Sequence, residues 1–386
     1  MVTEGQEHLV CRLKRSIYGL KQSPQCWNAA LDSQLKKLGF VETTNYPCIY
    51  IAKEGEMCIV AVYVDDIILA AKNDERLAEV KKHLTDCFEV RDMGELHHFL
   101  GMKIVQSQET GDVWIGQPAY AASILQKFSM NTAKGADTPV DANVKLVKAI
   151  DNDEGVDQEL YQSAVGSLLY LSVATRPDIT FAVSNVAKFS AKPTRQHWNA
   201  VKRIMRYIKA TLNYGLLYQK DWSRNCVGYS DADWAGDLDD RKSTSGYLFM
   251  MSGAAVSWTS KKQSSIALST VEVEYMALAS AAQEAIWMWQ LTTELRSKPV
   301  GATEIFEDNQ SAICMAKSPQ FHGRAKHIGI KYHFIREQVE NGTVFLRYCR
   351  TENMIADILT KGLHRDQFTR LRNLAGVKVL TCEKEC

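Results

Sequence analysis

Between residues 223 and 363, short apolar runs of strand character alternate with longer helical patterns, and four carboxylates sit at or near their ends. Alternation of this kind specifies a mixed sheet with helices on its faces. Strands are expected near 226–231, 245–251, 254–260, 303–308 and 343–349, and helices near 269–295, 309–317, 326–341 and 352–361. Asp231 ends the run Cys226-Val-Gly-Tyr-Ser-Asp231, and Asp308 ends Thr303-Glu-Ile-Phe-Glu-Asp308, where a helical pattern begins. Glu274 falls in the first turns of a long helical pattern, and Asp357 lies in Glu352-Asn-Met-Ile-Ala-Asp357-Ile-Leu-Thr-Lys361. Acids arriving from two strands and two helices repel one another unless cations offset their charge. Oxygen-only donors suit hard ions, so Mg²⁺ or Mn²⁺ is the natural guest. Two such ions about 3.5–4 Å apart form a clamp for phosphodiester cleavage.

Neighbouring acids are separated by their setting. Ser269 followed by Glu272 reads as a capping box, which gives Glu272 a structural task at the helix start. Val271, Tyr275, Leu278, Ala282 and Trp289 form a stripe at helical spacing. At about 100° per residue, Glu274 lies roughly 60° from that stripe and Glu272 roughly 100° away, so Glu274 faces the sheet. Asp231 and Asp233 both follow the strand, and geometry does not choose between them. Asp233, Asp237, Asp239 and Asp240 read as a solvated acidic loop.

A second acidic motif lies near the N-terminus, in Met57-Cys-Ile-Val-Ala-Val-Tyr-Val-Asp65-Asp66-Ile-Ile-Leu-Ala70. Two β-rich runs meet at a pair of aspartates. Paired acids are costly if buried without a counter-ion, so they belong at a tight hairpin open to metal. An ordinary hairpin turn explains the same pattern.

Four segments in order resemble the ribonuclease H family in its copia-type retrotransposon branch. They are Tyr229-Ser-Asp231-Ala-Asp-Trp-Ala-Gly-Asp237, Ser269-Thr-Val-Glu-Val-Glu274-Tyr-Met-Ala-Leu278, Glu307-Asp308-Asn-Gln-Ser-Ala-Ile313 and Ala356-Asp357-Ile-Leu-Thr-Lys361. Tyr63-Val64-Asp65-Asp66 resembles the polymerase motif of reverse transcriptases. Leu13-Lys-Arg-Ser-Ile-Tyr18-Gly19-Leu-Lys21-Gln22-Ser-Pro24 resembles the copia-type nucleotide-pocket motif, and Gly94-Glu-Leu-His-His-Phe-Leu-Gly101-Met-Lys-Ile the primer-gripping hairpin.

The resemblance implies a Pol fragment of mixed α/β and α+β multidomain fold. A partial reverse transcriptase palm would span 1–105 and a helical thumb and connection 106–222. A ribonuclease H-like five-stranded mixed sheet with flanking helices would span 223–363, and a short helical or frayed tail 364–386. It selects Asp231 over Asp233, and assigns Asp231, Glu274, Asp308 and Asp357 to two ions that hydrolyse the RNA strand of RNA–DNA hybrids. Asp65 and Asp66 become polymerase metal ligands. The segment Met1–Val10 offers no acid after a strand pattern, so polymerisation by this chain alone is not expected. The histidine found before the last aspartate in many relatives is missing, so either Arg350 or Glu352 would substitute for it or product release would go unassisted. Implied partners are the hybrid, primer–template, and the integrase and remaining polymerase segments of one polyprotein, in the cytoplasm (within virus-like particles) or nucleus. Alternatives are a nucleic-acid-binding fragment without cleavage, or a structural subunit of a larger polymerase.

With Lys+Arg 46 against Asp+Glu 45, the chain has no global field to attract nucleic acid. Charge is nonetheless segregated, because Ile179 to Lys220 contains no acid. Within it Val201, Ile204, Met205 and Ile208 share one helical face, while Lys202, Arg206 and Lys209 fall on another suited to phosphate. A solvated basic helix is the bland alternative. Pro139 to Val156 reads as a flexible linker. The ten cysteines form no Cys-x-x-Cys pair and read as buried free thiols of a reducing compartment. Cys314, His322, His327 and His333 do not make a zinc site, since His327 and His333 fall on opposite helix faces. No apolar run reaches membrane-spanning length, and no signal peptide is recognised.

Overall fold

A computed structural model describes residues 13–14, 16–52, 57–150, 153–220, 225–296, 301–317 and 329–380. The segment Met1–Val10, together with Cys11, His322, His327, Cys382 and Cys386, lies outside the described residues.

The described residues up to Leu96, joined by 293–296, form one compact unit. Helix α1 (Ser23–Lys37) starts with Pro24 in its first turn, where a missing N–H costs nothing. Strands β1 (Phe40–Glu42), β2 (Ile49–Ala52), β3 (Cys58–Tyr63) and β4 (Asp66–Ala71) form an antiparallel meander in chain order. Helix α2 (Asp74–Cys87) follows, its start capped by Asn73, which accepts the Arg76 N–H at 2.9 Å. Leu31 and Leu35 of α1, with Val80 and Leu84 of α2, close a core over Tyr50, Cys58 and Val60. Each such side chain contributes about 1.5–3 kcal/mol on burial.

The second unit begins at His97. Strands β5 (His98–Phe99) and β6 (Met102–Gln106) make a hairpin that continues through β7 (Val113–Gly116). Helices α3 (Pro118–Lys127), α4 (Gln158–Ala174), α5 (Thr180–Ala187) and α6 (Arg195–Ala210) lead to β8 (Tyr214–Tyr218), which pairs with β7. Two expectations change here. The gripping hairpin belongs to this unit, because β6 finds its partner in β7. Residues 106–222 are not wholly helical, because they include the short strands β7 and β8, which pair with each other across about a hundred residues of chain.

The remaining strands are β9 (Val227–Asp233), β10 (Thr244–Met251), β11 (Ala254–Lys262), β12 (Thr303–Glu307) and β13 (Val344–Tyr348). They form the expected five-stranded mixed sheet in the order β11-β10-β9-β12-β13, with β12 parallel to both β9 and β13. Helices α7 (Thr270–Arg296), α8 (Gln310–Lys317) and α9 (Gly329–Glu340) accompany it. One core packs α7 and α8 on Phe249, Ile305 and Leu346. The opposite face, through Leu248, Met250 and Ala255, joins the core of α3 to α6. Helix α7 is therefore buried on most sides around residues 272–282, not along a single stripe.

The pattern read as a helix over 352–361 is two 3-10 turns, Thr351–Asn353 and Ile355–Leu359. Over its described residues to Leu380 the tail is an integral part of the fold. Helix α10 (Arg365–Leu374) leads to β14 (Val377–Val379), which pairs with β8. A buried network fastens it. Arg176 grips Asp178 through Nε and Nη2 at 2.8 Å each, Tyr207 Oη donates to Asp178 at 2.6 Å, and Arg372 donates to Tyr207 Oη at 3.3 Å. The segment read as a flexible linker is a strap without secondary structure over its described residues to Ile150. Lys148 N–H donates to Asp239 at 3.0 Å, and His197 Nε2 meets the Val147 carbonyl at 2.8 Å.

Candidate metal centre

Strands β9 and β12 are parallel neighbours, with Phe306 opposite Tyr229. Their carboxyl ends therefore lie side by side, the place where parallel sheets present ligands. Asp231 is delivered by β9 and Asp308 follows β12, while Glu274 comes from the first turns of α7. One oxygen from each of Asp231, Glu274 and Asp308 lies within 4.8 Å of the others. Among the described residues this is the one such group of metal-ligating side chains. Asp231 and Glu274 are buried, and Asp308 is half-buried with Oδ2 accepting the Thr351 hydroxyl at 2.7 Å.

Asp357 stands beside this trio and is completely buried. Lys361 Nζ lies 2.9 Å from Asp357 Oδ1 and 3.5 Å from Asp231 Oδ2. Thr360 donates its hydroxyl to the same Asp231 oxygen. Gly246 makes this approach possible. It pairs with Asp231 across β10 and β9, and a Cβ there would meet Leu359 Cβ and Thr360 Cγ2 at 2.8 Å.

Burial, then Glu307, Asp231 and Asp308, push the Glu274 carboxyl far above its usual range. Asp308 is raised by burial against the opposing Thr351 hydrogen bond, and Asp357 by burial and Asp231. Lys361 is held protonated despite burial by Asp231 and Asp357. Buried like charges without a cation are costly, and Glu274 Oε2 has no hydrogen-bond partner. An all-oxygen, electron-rich cluster with an unpartnered buried oxygen fits a hard divalent ion such as Mg²⁺ or Mn²⁺.

Glu307 was not among the sequence candidates. It is completely buried, its Oε2 has no partner, and burial drives its carboxyl upward. The signal was available in β12, where Thr303, Ile305 and Glu307 fall on the buried face at strand spacing. The acidic loop is also not solvated as read. Asp237 ion-pairs with Lys262 at 2.6 Å and Lys188 at 3.2 Å, and Asp240 with Lys262 at 2.8 Å. Arg350 and Glu352 face each other at 3.8 Å with both side chains exposed, while Thr351 between them reaches Asp308. Glu272 takes the capping task in a shifted form. Its N–H donates to Ser269 Oγ at 3.3 Å and its carboxylate accepts the Leu268 N–H at 2.8 Å.

In the first unit, Asp65 and Asp66 sit at a hairpin whose register pairs Tyr63 with Asp66, leaving Val64 and Asp65 as the turn. Both aspartates are exposed. Val64 has φ 54, a conformation β-branched residues seldom adopt. Trp27 Nε1 donates to its carbonyl at 2.7 Å. On α6, Arg206 and Lys209 donate to the carbonyls of Lys134 and Ala133 at 2.7 and 2.6 Å, and Lys202 is half-exposed. The described cysteines are free, but Cys26, Cys48, Cys87 and Cys314 are exposed and only Cys58 and Cys226 are buried. Cys314 and His333 are both exposed, away from any metal-ligating group among the described residues. No described helix is long and apolar enough to cross a membrane.

The family described as reverse transcriptase (RNA-dependent DNA polymerase) matches residues 1–142. The retrovirus-related Pol polyprotein from transposon TNT 1-94 of Nicotiana tabacum is 38% identical over 380 residues, covering 97% of this chain. A Saccharomyces cerevisiae transposon Ty5-1 protein is 33% identical over 285 residues, covering 73% of this chain and 92% of its own length. The chain belongs to the retrotransposon Pol polyprotein family. This Pol chain spans 28% of the tobacco polyprotein. A foamy viral protease–reverse transcriptase structure in complex with RNA/DNA hybrid aligns at 14% identity and TM-score 0.47, over 87% of the Pol chain and 39% of that chain.

Proposed function

We propose that this copia-type Pol chain cleaves the RNA strand of RNA–DNA hybrids with its second unit. The observation that carries the reading is the gathering of Asp231, Glu274 and Asp308 within 4.8 Å around an unpartnered buried oxygen. Asp231, Glu274 and Asp308 would hold Mg²⁺ or Mn²⁺, with Asp357 beside them for a second ion. Such ions acidify an attacking water and stabilise the leaving oxygen. The chain's own residues do the positioning. Thr351 orients Asp308, Thr360 orients Asp231, and Gln367 Nε2 donates to Asp357 Oδ2 at 3.3 Å. Selection of hybrid would come from groove shape and 2′-OH contacts, without base reading.

The first unit contributes a polymerase hairpin bearing Asp65 and Asp66, so primer–template is a second substrate class for the polyprotein. Its other partners would be the integrase and remaining polymerase segments of the same polyprotein, in the cytoplasm or nucleus. The test is a labelled RNA–DNA hybrid incubated with the chain and Mg²⁺. Wild type should release short RNA, and chelation should stop it. Asp231→Asn and Asp308→Asn should each lower the rate by about a hundredfold or more while hybrid binding persists. Cleavage that survives both substitutions would overturn the assignment.

A further inference from the structure

Asp357 and Asp231 differ from Glu274 in how their charge is met. Glu274 Oε2 has no protein partner. Asp357 has Lys361 Nζ 2.9 Å from Oδ1, an ion pair without hydrogen-bond geometry, and Gln367 Nε2 donating to Oδ2 at 3.3 Å. The same ammonium reaches Asp231 Oδ2 at 3.5 Å, so one internal cation is shared between the two aspartates. Lys361 follows the second 3-10 turn, Ile355–Leu359, and its side chain is 32% exposed, so it is not locked wholly inside the core.

We propose that Lys361 is the resident cation of the Asp231–Asp357 pair. Without nucleic acid the chain then takes one divalent ion, at Asp231, Glu274 and Asp308, and a second only after Lys361 has been drawn away. This deepens the hydrolytic reading of the site and rests on it. An ammonium and a divalent ion repel, and they compete for the same carboxylate oxygens. Lysine is suited to a reversible role because its compact charge rides on a flexible four-carbon stem. A substrate phosphate offers that charge another partner. The order of ion binding is thereby tied to the presence of nucleic acid.

The experiment is calorimetric titration of the full chain with Mn²⁺ in the absence of nucleic acid. Wild type should bind one ion in the tight phase. Lys361→Met should add a second ion, about tenfold or more tighter than any second binding to wild type. Lys361→Arg keeps a cation in place and should bind one. Adding Asp357→Asn to Lys361→Met should return the count to one. The exposed Asp65 and Asp66 are common to every variant, so weak binding there cancels. If circular dichroism shows that Lys361→Met is unfolded, Lys361→Gln replaces it with the same expectation. A neutral variant whose isotherm superimposes on wild type overturns the proposal, as does an arginine variant that gains the second ion. Hybrid cleavage by wild type is measured separately. Its absence would count against hydrolysis, whereas the ion count alone decides the role of Lys361.

Discussion

Glu272 and Glu274 are both buried on α7, yet their carboxylates answer different needs. Glu272 accepts the Leu268 N–H, which lies just ahead of the helix, and so ties the entering chain to the first turn. Glutamine keeps that acceptor, so Glu272→Gln should cost less than about 1 kcal/mol and leave hybrid cleavage within a few-fold of wild type. Glu274 has an unpartnered oxygen and three acidic neighbours, Glu307, Asp231 and Asp308. Glu274→Gln should remove a carboxyl that burial forces to take up a proton on folding. Without metal at pH 8 its melting temperature should exceed that of wild type, while cleavage falls by about a hundredfold or more. Parallel thermal melts and cleavage assays read both quantities. A dead Glu272→Gln beside an active Glu274→Gln would reverse the two roles.

At the level of elements, α6 divides its basic residues between architecture and solvent. Arg206 and Lys209 donate to the Lys134 and Ala133 carbonyls, and the Ala136 N–H donates back to the Arg206 carbonyl at 3.2 Å. These side chains hold the chain after α3 against the helix. The combined Arg206→Ala and Lys209→Ala variant should therefore lose stability, about 1 kcal/mol per bond, besides any effect on nucleic acid. Lys202 is half-exposed and makes the cleaner probe of phosphate contact. Lys202→Ala should leave the melting temperature unchanged and reduce the slope of log K against log salt by about 0.9 on duplex-like substrate. Filter binding at several salt concentrations provides the slope. If it stays the same, Lys202 faces only solvent.

For the whole molecule, the centre makes stability depend on pH and on metal together. Asp357 is raised from 3.8 to about 7, with burial first and Asp231 second among the causes, and Glu274 is raised further. Over this window the folded chain holds protons that the unfolded chain releases, so stability falls as pH rises. The raised Lys361 does not contribute there, because its effect is lost only above the usual lysine range. The lowered carboxyls of Asp237 and Asp178 act in the opposite sense only at strongly acidic pH. The single imidazole of His197, lowered by burial, opposes the several raised carboxyls within the window without outweighing them. The metal-free chain should accordingly melt higher at pH 5 than at pH 8. Mg²⁺ should raise the melting temperature at pH 8 and have less effect at pH 5, where protons already neutralise Glu274 and Asp357. Differential scanning calorimetry with and without chelator tests this. A flat metal-free profile would show that the carboxylates are not strained by one another.

Local pattern determined the alternation of strands and helices from 226 to 349, the capping task of Ser269 and Glu272, and the hairpin that carries Asp65 and Asp66. These depend on neighbours a few residues apart, which hydrophobic period and turn chemistry record. The tertiary structure decided what distant segments do to one another. It joined β8 to β14 and β7, buried Glu307 beneath the acids, and spent Arg206 and Lys209 on backbone carbonyls. It also drew Asp231, Glu274 and Asp308 together while giving Asp357 to Lys361. A carboxylate's partner is set by distance in space and by burial. Lys361 and Asp231 become neighbours only when Gly246 lets the second 3-10 turn lie directly on β10.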